Sequence, residues 1–265
     1  MEQYSMDILL FDSKRVANGY ANDRPWLHKS VMEQLKIEFG NKIPFSNGLD
    51  IGCGAGLSTK ALKLICNKVT GTDISSEMID ICKSQYADSE FIFYTAKAEE
   101  TKLPQVPYDI VTAAGVIDWV DKDKFLENMK LVMAENAPLV LYDFWISDKM
   151  LENSAYTDWF QNEYLLKFPK PPRNETRWEQ KDIPISFIYN KQILCQMKYG
   201  FDISSFIRFM MTQTNINSKI KSGCMTDEEV HNWMQESLAS IFLEQRQTLI
   251  FDGYIRIYIY SNKGL

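Results

Sequence analysis

Apolar residues recur at helical spacing in "RPWLHKSVMEQLKIEFG", where Leu27, Val31 and Leu35 share one face and Gly40 ends the run. The sequence therefore predicts a helix ahead of the core, with Pro25 opening its first turn. From residue 46 the pattern alternates between short apolar runs and amphipathic stretches. The runs are Leu49-Asp50-Ile51, one ending in "KVTGTD", "EFIFYTA", "YDIVTAA" and "APLVLYDFW"; the helical stretches are "LSTKALKLIC", "SSEMIDICKSQY" and "DKFLENMKLVM". Five strands alternating with helices predict an α/β fold, a mostly parallel sheet with helices on both faces.

Residues 145–205 break this rhythm. "SDKMLENSAYTDWFQNEYLLKF" reads as helical and aromatic, "KFPKPPRNETRWEQK" as a Pro-rich basic turn, and "ISFIYNKQILCQM" contains a possible strand. Such a segment after the fifth strand predicts a lid above the sheet, with Trp145, Tyr156, Trp159, Phe160 and Tyr164 walling an apolar pocket and Arg173 or Arg177 available to an acidic group. Further on, Thr226 and Glu229 have capping-box spacing, and Val230, Trp233, Met234, Leu238, Ile241 and Phe242 form one apolar stripe. The end, "RQTLIFDGYIRIYIYSN", predicts an antiparallel hairpin turning at Asp252-Gly253. The expected organisation is a single domain over 1–265: an N-terminal helical segment (1–45), a core (46–144), the lid (145–205), and C-terminal helices with the hairpin (206–265).

Composition narrows the function. Lys and Arg number 29 against 35 Asp and Glu, a formal charge of -6, without basic tracts. Nucleic acid is not an expected partner, because phosphate neutralisation needs a clustered positive face. Five cysteines lack a Cys-x-x-Cys pair and only His28 and His231 are present, so neither a disulfide framework nor a metal site is expected. Both histidines read as solvated. The start lacks a basic, apolar leader and no run is long enough to span a bilayer, which places the expected location in the cytoplasm without a membrane partner.

The chemistry concentrates in "GLDIGCGAGLSTKAL". Asp50, Gly52, Gly54 and Gly56 form Asp-x-Gly-x-Gly-x-Gly between a strand and a helix, and Asp73 follows at the end of the next strand. Gly56 is two positions after Gly54, where a dinucleotide loop needs three, and no Gly-Lys-Ser/Thr follows. Glycines let a ligand lie on the backbone, and a carboxylate at the second strand's end can accept from two ribose hydroxyls; the expected cofactor is a nucleoside without a phosphate chain.

These residues resemble the class I S-adenosylmethionine-dependent methyltransferases over roughly residues 15–145. The resemblance implies a Rossmann-like sheet of seven strands with an antiparallel terminal hairpin, and S-adenosyl-L-methionine as cofactor. Gly52, Cys53 and Gly54 would pass beneath its methionine part, Asp73 would take the ribose hydroxyls, and Ile74 and Met78 would add apolar contacts. "AKAEETKLP" is similar to the family's third segment and implies Ala98 and Glu99 beside the adenine, with Lys97 in place of a common aspartate; Ala114 ends the fourth strand of the same site. "YDIVTAAGVIDWVDKDKFLENM" looks like the small-molecule branch that includes trans-aconitate methyltransferases. There Tyr20, Arg24 and Pro25 match an early Tyr-x-x-x-Arg-Pro, implying contact with the cofactor carboxylate, and Trp119 matches a tryptophan, while Asp118 replaces a histidine.

Plainer roles stand beside these. Asp73 can serve a helix N-terminus, Tyr20 and Arg24 can cap a helix, Cys53 can simply pack, and Trp119 and Trp145 can be core. Asp118, Asp121 and Asp143 gathering a magnesium ion is a minor alternative. The reading is an enzyme that methylates a small-molecule carboxylate or hydroxyl, with no catalytic residue named and the oligomeric state open. The alternatives are methylation of RNA or protein, and cofactor binding without catalysis.

Overall fold

The computed structural model describes residues 14–100, 103, 107–170, 178, 180–243 and 245–262. Arg173 and Arg177 lie outside the described residues. The core alternates as its sequence pattern requires: β1 (Phe45–Ile51), β2 (Cys66–Asp73), β3 (Phe91–Thr95), β4 (Ile110–Ala114) and β5 (Pro138–Met150) are strands. Ahead of them lie α1 (Lys14–Asn22) and α2 (His28–Phe39); between them lie α3 (Leu57–Leu62), α4 (Ser76–Gln85) and α5 (Lys122–Val132). Helix α2 ends at Gly40, whose φ of 49° is one that a residue with a Cβ rarely adopts. Helix α3 is shorter than expected, because Ile65 O accepts from Phe45 N and Cys66 already pairs with Phe45 as the first residue of β2.

The seven strands are ordered β3-β2-β1-β4-β5-β7-β6, with β6 spanning Phe187–Phe201 and β7 Gln247–Tyr260. Strands β1 to β5 pair in parallel. Against β5, β7 runs in the opposite direction: Asn136 N donates to Tyr260 O, Ser147 Oγ to Ile250 O, and Leu151 N to Thr248 O. Strands β6 and β7 are also antiparallel, as the Gln192–Arg256 and Gln196–Asp252 bonds show.

Two expectations are corrected here. The chain does not turn at Asp252-Gly253; β7 runs straight through, and Asp252 Oδ1 accepts from Gln196 Nε2 on the neighbouring strand at 2.9 Å. The seventh strand comes instead from residues assigned to the lid, and β5 also extends five residues beyond Trp145, to Met150. The helical part of that segment starts only at α6 (Ala155–Asp158), which continues through a π-helical turn, Trp159–Tyr164. Beyond β6 come α7 (Ile203–Met210), α8 (Thr214–Lys221) and α9 (Asp227–Phe242). The Thr226–Glu229 capping box forms, with Thr226 Oγ1 accepting from Glu229 N and Glu229 Oε2 from Thr226 N.

The described residues group into two compact units. One holds those within 26–143, 173–195 and 254–265, the other those within 1–25, 144–172 and 196–253. The first unit's core packs Leu49, Ile51, Val111, Ala113, Leu139 and Leu141 of the sheet against Phe125, Leu126 and Met129 of α5. In the second, Tyr156, Trp159, Phe160 and Tyr164 are all buried, and Trp159 stacks on Tyr164 and Trp233. These aromatics are that unit's core. The expectation that they wall a pocket is corrected, since their large apolar area is spent on one another.

Candidate functional site

Strand β1 alternates its side chains between two faces. Leu49 and Ile51 enter the core under α5, so Asp50 must point the other way, toward α3. There it is fully buried, with Oδ2 accepting from Ser58 Oγ at 2.6 Å and Thr59 Oγ1 at 2.7 Å, and Oδ1 from Thr112 Oγ1 at 2.9 Å. Burial pushes the Asp50 carboxyl up to about 6 against the pull of these three hydroxyls. Asp50 thus braces the loop from beneath, through two α3 residues and one from β4.

The loop above it turns on Gly52, Gly54 and Gly56, with φ of 66°, 52° and 89°. At Gly52 the backbone conformation and the space act together: an added Cβ would lie 2.3 Å from Val116 Cγ2. Gly56 faces the same limit from Tyr86, whose Cε2 would be 2.6 Å away. Cys53 is buried and joins Ile79, Cys82 and Phe93 in a small cluster, its backbone N–H donating to Thr72 O. Burial and the neighbouring Cys82 thiol push its pKa well above the usual thiol range, so it is held as a neutral packing group.

Asp73 ends β2 directly beside this loop. Its Oδ2 accepts from Gly54 N at 2.8 Å and its Oδ1 from Ser75 N at 2.9 Å. Burial raises its pKa, while the Ser75, Gly54 and Ile74 N–H groups oppose the rise. A carboxylate offers about four lone-pair sites, so these two short bonds leave acceptor capacity for hydroxyl donors. The next residue, Ile74, is 41 % exposed, an apolar side chain beside a polar anchor. Acceptor capacity, an exposed apolar neighbour and a glycine backbone fit the ribose, base and methionine parts of a nucleoside sulfonium.

The other expected residues fall as follows. Met78 is buried in the first turn of α4, its N–H donating to Ser75 Oγ. Ala98 O accepts from Asn128 Nδ2 at 2.8 Å, and Glu99 Oε1 accepts from Asp121 N at 3.0 Å, which ties this segment to α5. Ala114 closes β4 opposite Tyr142 of β5, and Trp119 N donates to Val116 O in the following turn. Tyr20, Arg24 and Trp145 belong to the other unit. Within it the Arg24 guanidinium lies 3.7 Å from the Tyr20 ring centroid, and its Nε donates to Thr212 Oγ1. Trp145 is 45 % exposed. Among the described residues no group of three or more His, Cys, Asp or Glu could hold a metal ion, and no helix is long and apolar enough to cross a membrane.

Sequence reasoning missed the residues that frame the loop. Ser58, Thr59 and Thr112 are ordinary in sequence, and only the register that aims Asp50 at them reveals their role. His28 is exchanged from the solvated role expected of it: its Nδ1 is 2.9 Å from Tyr142 Oη. Its partner Tyr142 lies on β5 level with Ala114, the last residue of β4. His231 is exposed, as expected.

Comparison with known proteins agrees with this geometry. Residues 49–141 match the family model described as a methyltransferase domain. A protein of Dictyostelium discoideum named as a candidate methyltransferase is 23% identical over 218 residues, 80% of this chain and 81% of its own. The ubiquinone/menaquinone biosynthesis C-methyltransferase UbiE of Campylobacter jejuni is 22% identical over 220 residues, 79% and 92% of the two chains. Among solved structures, a candidate type II methyltransferase of Anaeromyxobacter dehalogenans shares the fold with a TM-score of 0.66 at 18% identity, covering 86% of this chain and 94% of its own. The matched segment runs from within β1 to the start of β5 and contains the glycine loop and Asp73, so over these residues the chain carries a methyltransferase domain.

Proposed function

We propose that the chain methylates a small-molecule acceptor, a carboxylate or a hydroxyl, at the glycine-loop end of the sheet. The observation that carries the site is the Asp73 carboxylate, fixed by Gly54 N–H at 2.8 Å and still able to accept. In this reading Gly52, Cys53, Gly54 and Gly56 carry the methionine part on their backbone. Asp73 takes the ribose hydroxyls, and Ile74, Met78, Ala98 and Glu99 frame the base. Asp50 supports the loop from below; Ala114 and Trp119 flank the acceptor side. The relative named for quinone biosynthesis supports a small acceptor, as does a formal charge of -6, which does not favour a polyanion. The likeness of "YDIVTAAGVIDWV" to the trans-aconitate branch supports a carboxylate among such acceptors.

When bound, the cofactor supplies an electrophilic methyl carbon together with its own leaving group. The chain's task is alignment and exclusion of water, and no general base is obligatory for an acceptor already ionised near neutrality. Incubation with methyl-labelled cofactor and, separately, small carboxylic acids and phenols, RNA, or protein tests this. Label in an extractable small product is expected. Label confined to RNA or protein, or cofactor binding without transfer to any of them, would contradict it.

A further inference from the structure

Trp26, in the segment between α1 and α2, and His28, the first residue of α2, each make a side-chain bond away from α2, one to α3 and one to the sheet. Trp26 Nε1 donates to Leu57 O at 3.0 Å, on the residue directly after Gly56, and Lys60 Nζ lies 4.6 Å from the Trp26 ring centroid. Two residues later, His28 Nδ1 sits 2.9 Å from Tyr142 Oη, with the rings edge to face at 5.7 Å and 76°. Leu57 begins the helix that follows β1, whereas Tyr142 lies on β5. Strand β4 stands between them in the sheet order, β1-β4-β5.

The register shows what lies under this span. Ala113 of β4 pairs with Ile51 of β1, and Ala114 pairs with Tyr142, so Tyr142 is level with the last residue of β4. Gly115 N then donates to Tyr142 O at 2.9 Å. Neighbouring strands are roughly 4.8 Å apart, so β1, whose loop leads into Leu57, and β5, which carries Tyr142, are about 10 Å apart, and a segment bonded to both sides spans the level at which β4 ends. Capping of α2 does not explain the two bonds, because the N-cap residue Leu27 makes no side-chain cap and both bonds are to residues outside the helix. Burial and the nearby Asp50 and Asp143 carboxylates hold the Tyr142 phenol neutral, and so able to donate to His28 Nδ1.

We infer that Trp26–His28 is a strap across the carboxyl end of β4 that retains the cofactor, with Trp26 and His28 as positioning residues. This rests on the loop site proposed above. Trp26 fixes the outgoing end of the glycine loop, and His28 fixes β5 on the far side of β4. The strap makes no reaction step of its own. Its consequence is kinetic, since a ligand lying beneath it leaves only when one of the two bonds opens.

The test is release of S-adenosylhomocysteine from the full chain, measured by stopped flow with affinity by calorimetry, for wild type, Trp26→Phe, His28→Ala and His28→Gln. Trp26→Phe keeps the ring and removes one N–H; His28→Gln keeps a group able to meet Tyr142 Oη. Trp26→Phe and His28→Ala should each speed release about tenfold with association changed less than about threefold, while His28→Gln stays within about threefold of wild type in both. A merely structural role would lower the melting temperature yet leave release from the folded protein unchanged, which would overturn the strap alone. Release from His28→Gln as fast as from His28→Ala would overturn the His28 bond as its anchor. Failure of the wild type to bind would overturn the site and the strap together.

Discussion

Asp50 is fully buried beneath the glycine loop and bonded to Ser58, Thr59 and Thr112. Its carboxyl, pushed from 3.8 to about 6 by burial, stays protonated in the folded chain at pH values where the unfolded chain has released the proton. Its contribution to stability is therefore complete below about pH 4 and is lost as pH rises through about 6, a span worth roughly 3 kcal/mol. Urea unfolding at pH 4.5 and pH 8 should show wild type losing about 2–3 kcal/mol relative to Asp50→Asn over that span. Parallel pH profiles for the two proteins would contradict the assignment. Gly52 makes the complementary case: Gly52→Ala sets a Cβ 2.3 Å from Val116 Cγ2 at a φ of 66°. Overpacking and the left-handed backbone together should cost roughly 2–4 kcal/mol, visible as a lower unfolding midpoint. An unchanged midpoint would mean that the loop relaxes freely and that Val116 does not set its shape.

At the scale of elements, the parallel half of the sheet and its helices were legible, because the apolar runs of β1, β2, β4 and β5 are largely buried, the edge strand β3 keeps Phe93 buried, and the helices between them carry apolar stripes. The antiparallel half was legible only in part: its direction and a possible strand in "ISFIYNKQILCQM" were read, but not that this strand, rather than a hairpin at Asp252-Gly253, completes the sheet. Strand β6 exposes Leu194, Tyr189 and Tyr199, so its residues show little of the alternation that marks a half-buried strand. Asp252-Gly253 invited a turn by local chemistry, but Gln196 on β6 satisfies the Asp252 carboxylate and the ladder continues through it. Tertiary pairing overrode a strong local signal. The aromatic segment was misread for a similar reason: Tyr156, Trp159 and Tyr164 point into their own unit, and composition does not disclose which surface a helix covers. Capping was read directly from sequence, and it gives a test at this scale. Thr226→Ala removes the acceptor for Glu229 N at the start of α9 and should cost about 1 kcal/mol, or roughly 2–4 °C in melting temperature. A shift below half a degree would show that α9 is held by its buried stripe alone.

For the whole molecule, the glycine loop, Asp73 and the strand order that brings them together agree with one another and with the matched methyltransferase domain over residues 49–141. The candidate site was legible because its chemistry lies in two short stretches at the ends of neighbouring strands. Its supports were not, because Ser58, Thr59, Thr112 and Tyr142 meet Asp50 and His28 only after the chain folds. The central claim is that Asp73, held by the loop, binds the cofactor's ribose. Titration calorimetry of S-adenosylhomocysteine into wild type and Asp73→Ala tests it most directly. One molecule per chain is expected to bind wild type, and the variant should lose charge-assisted bonds of roughly 1.5–3 kcal/mol, a tenfold to hundredfold weaker affinity. Equal affinity in the two proteins would contradict the claim.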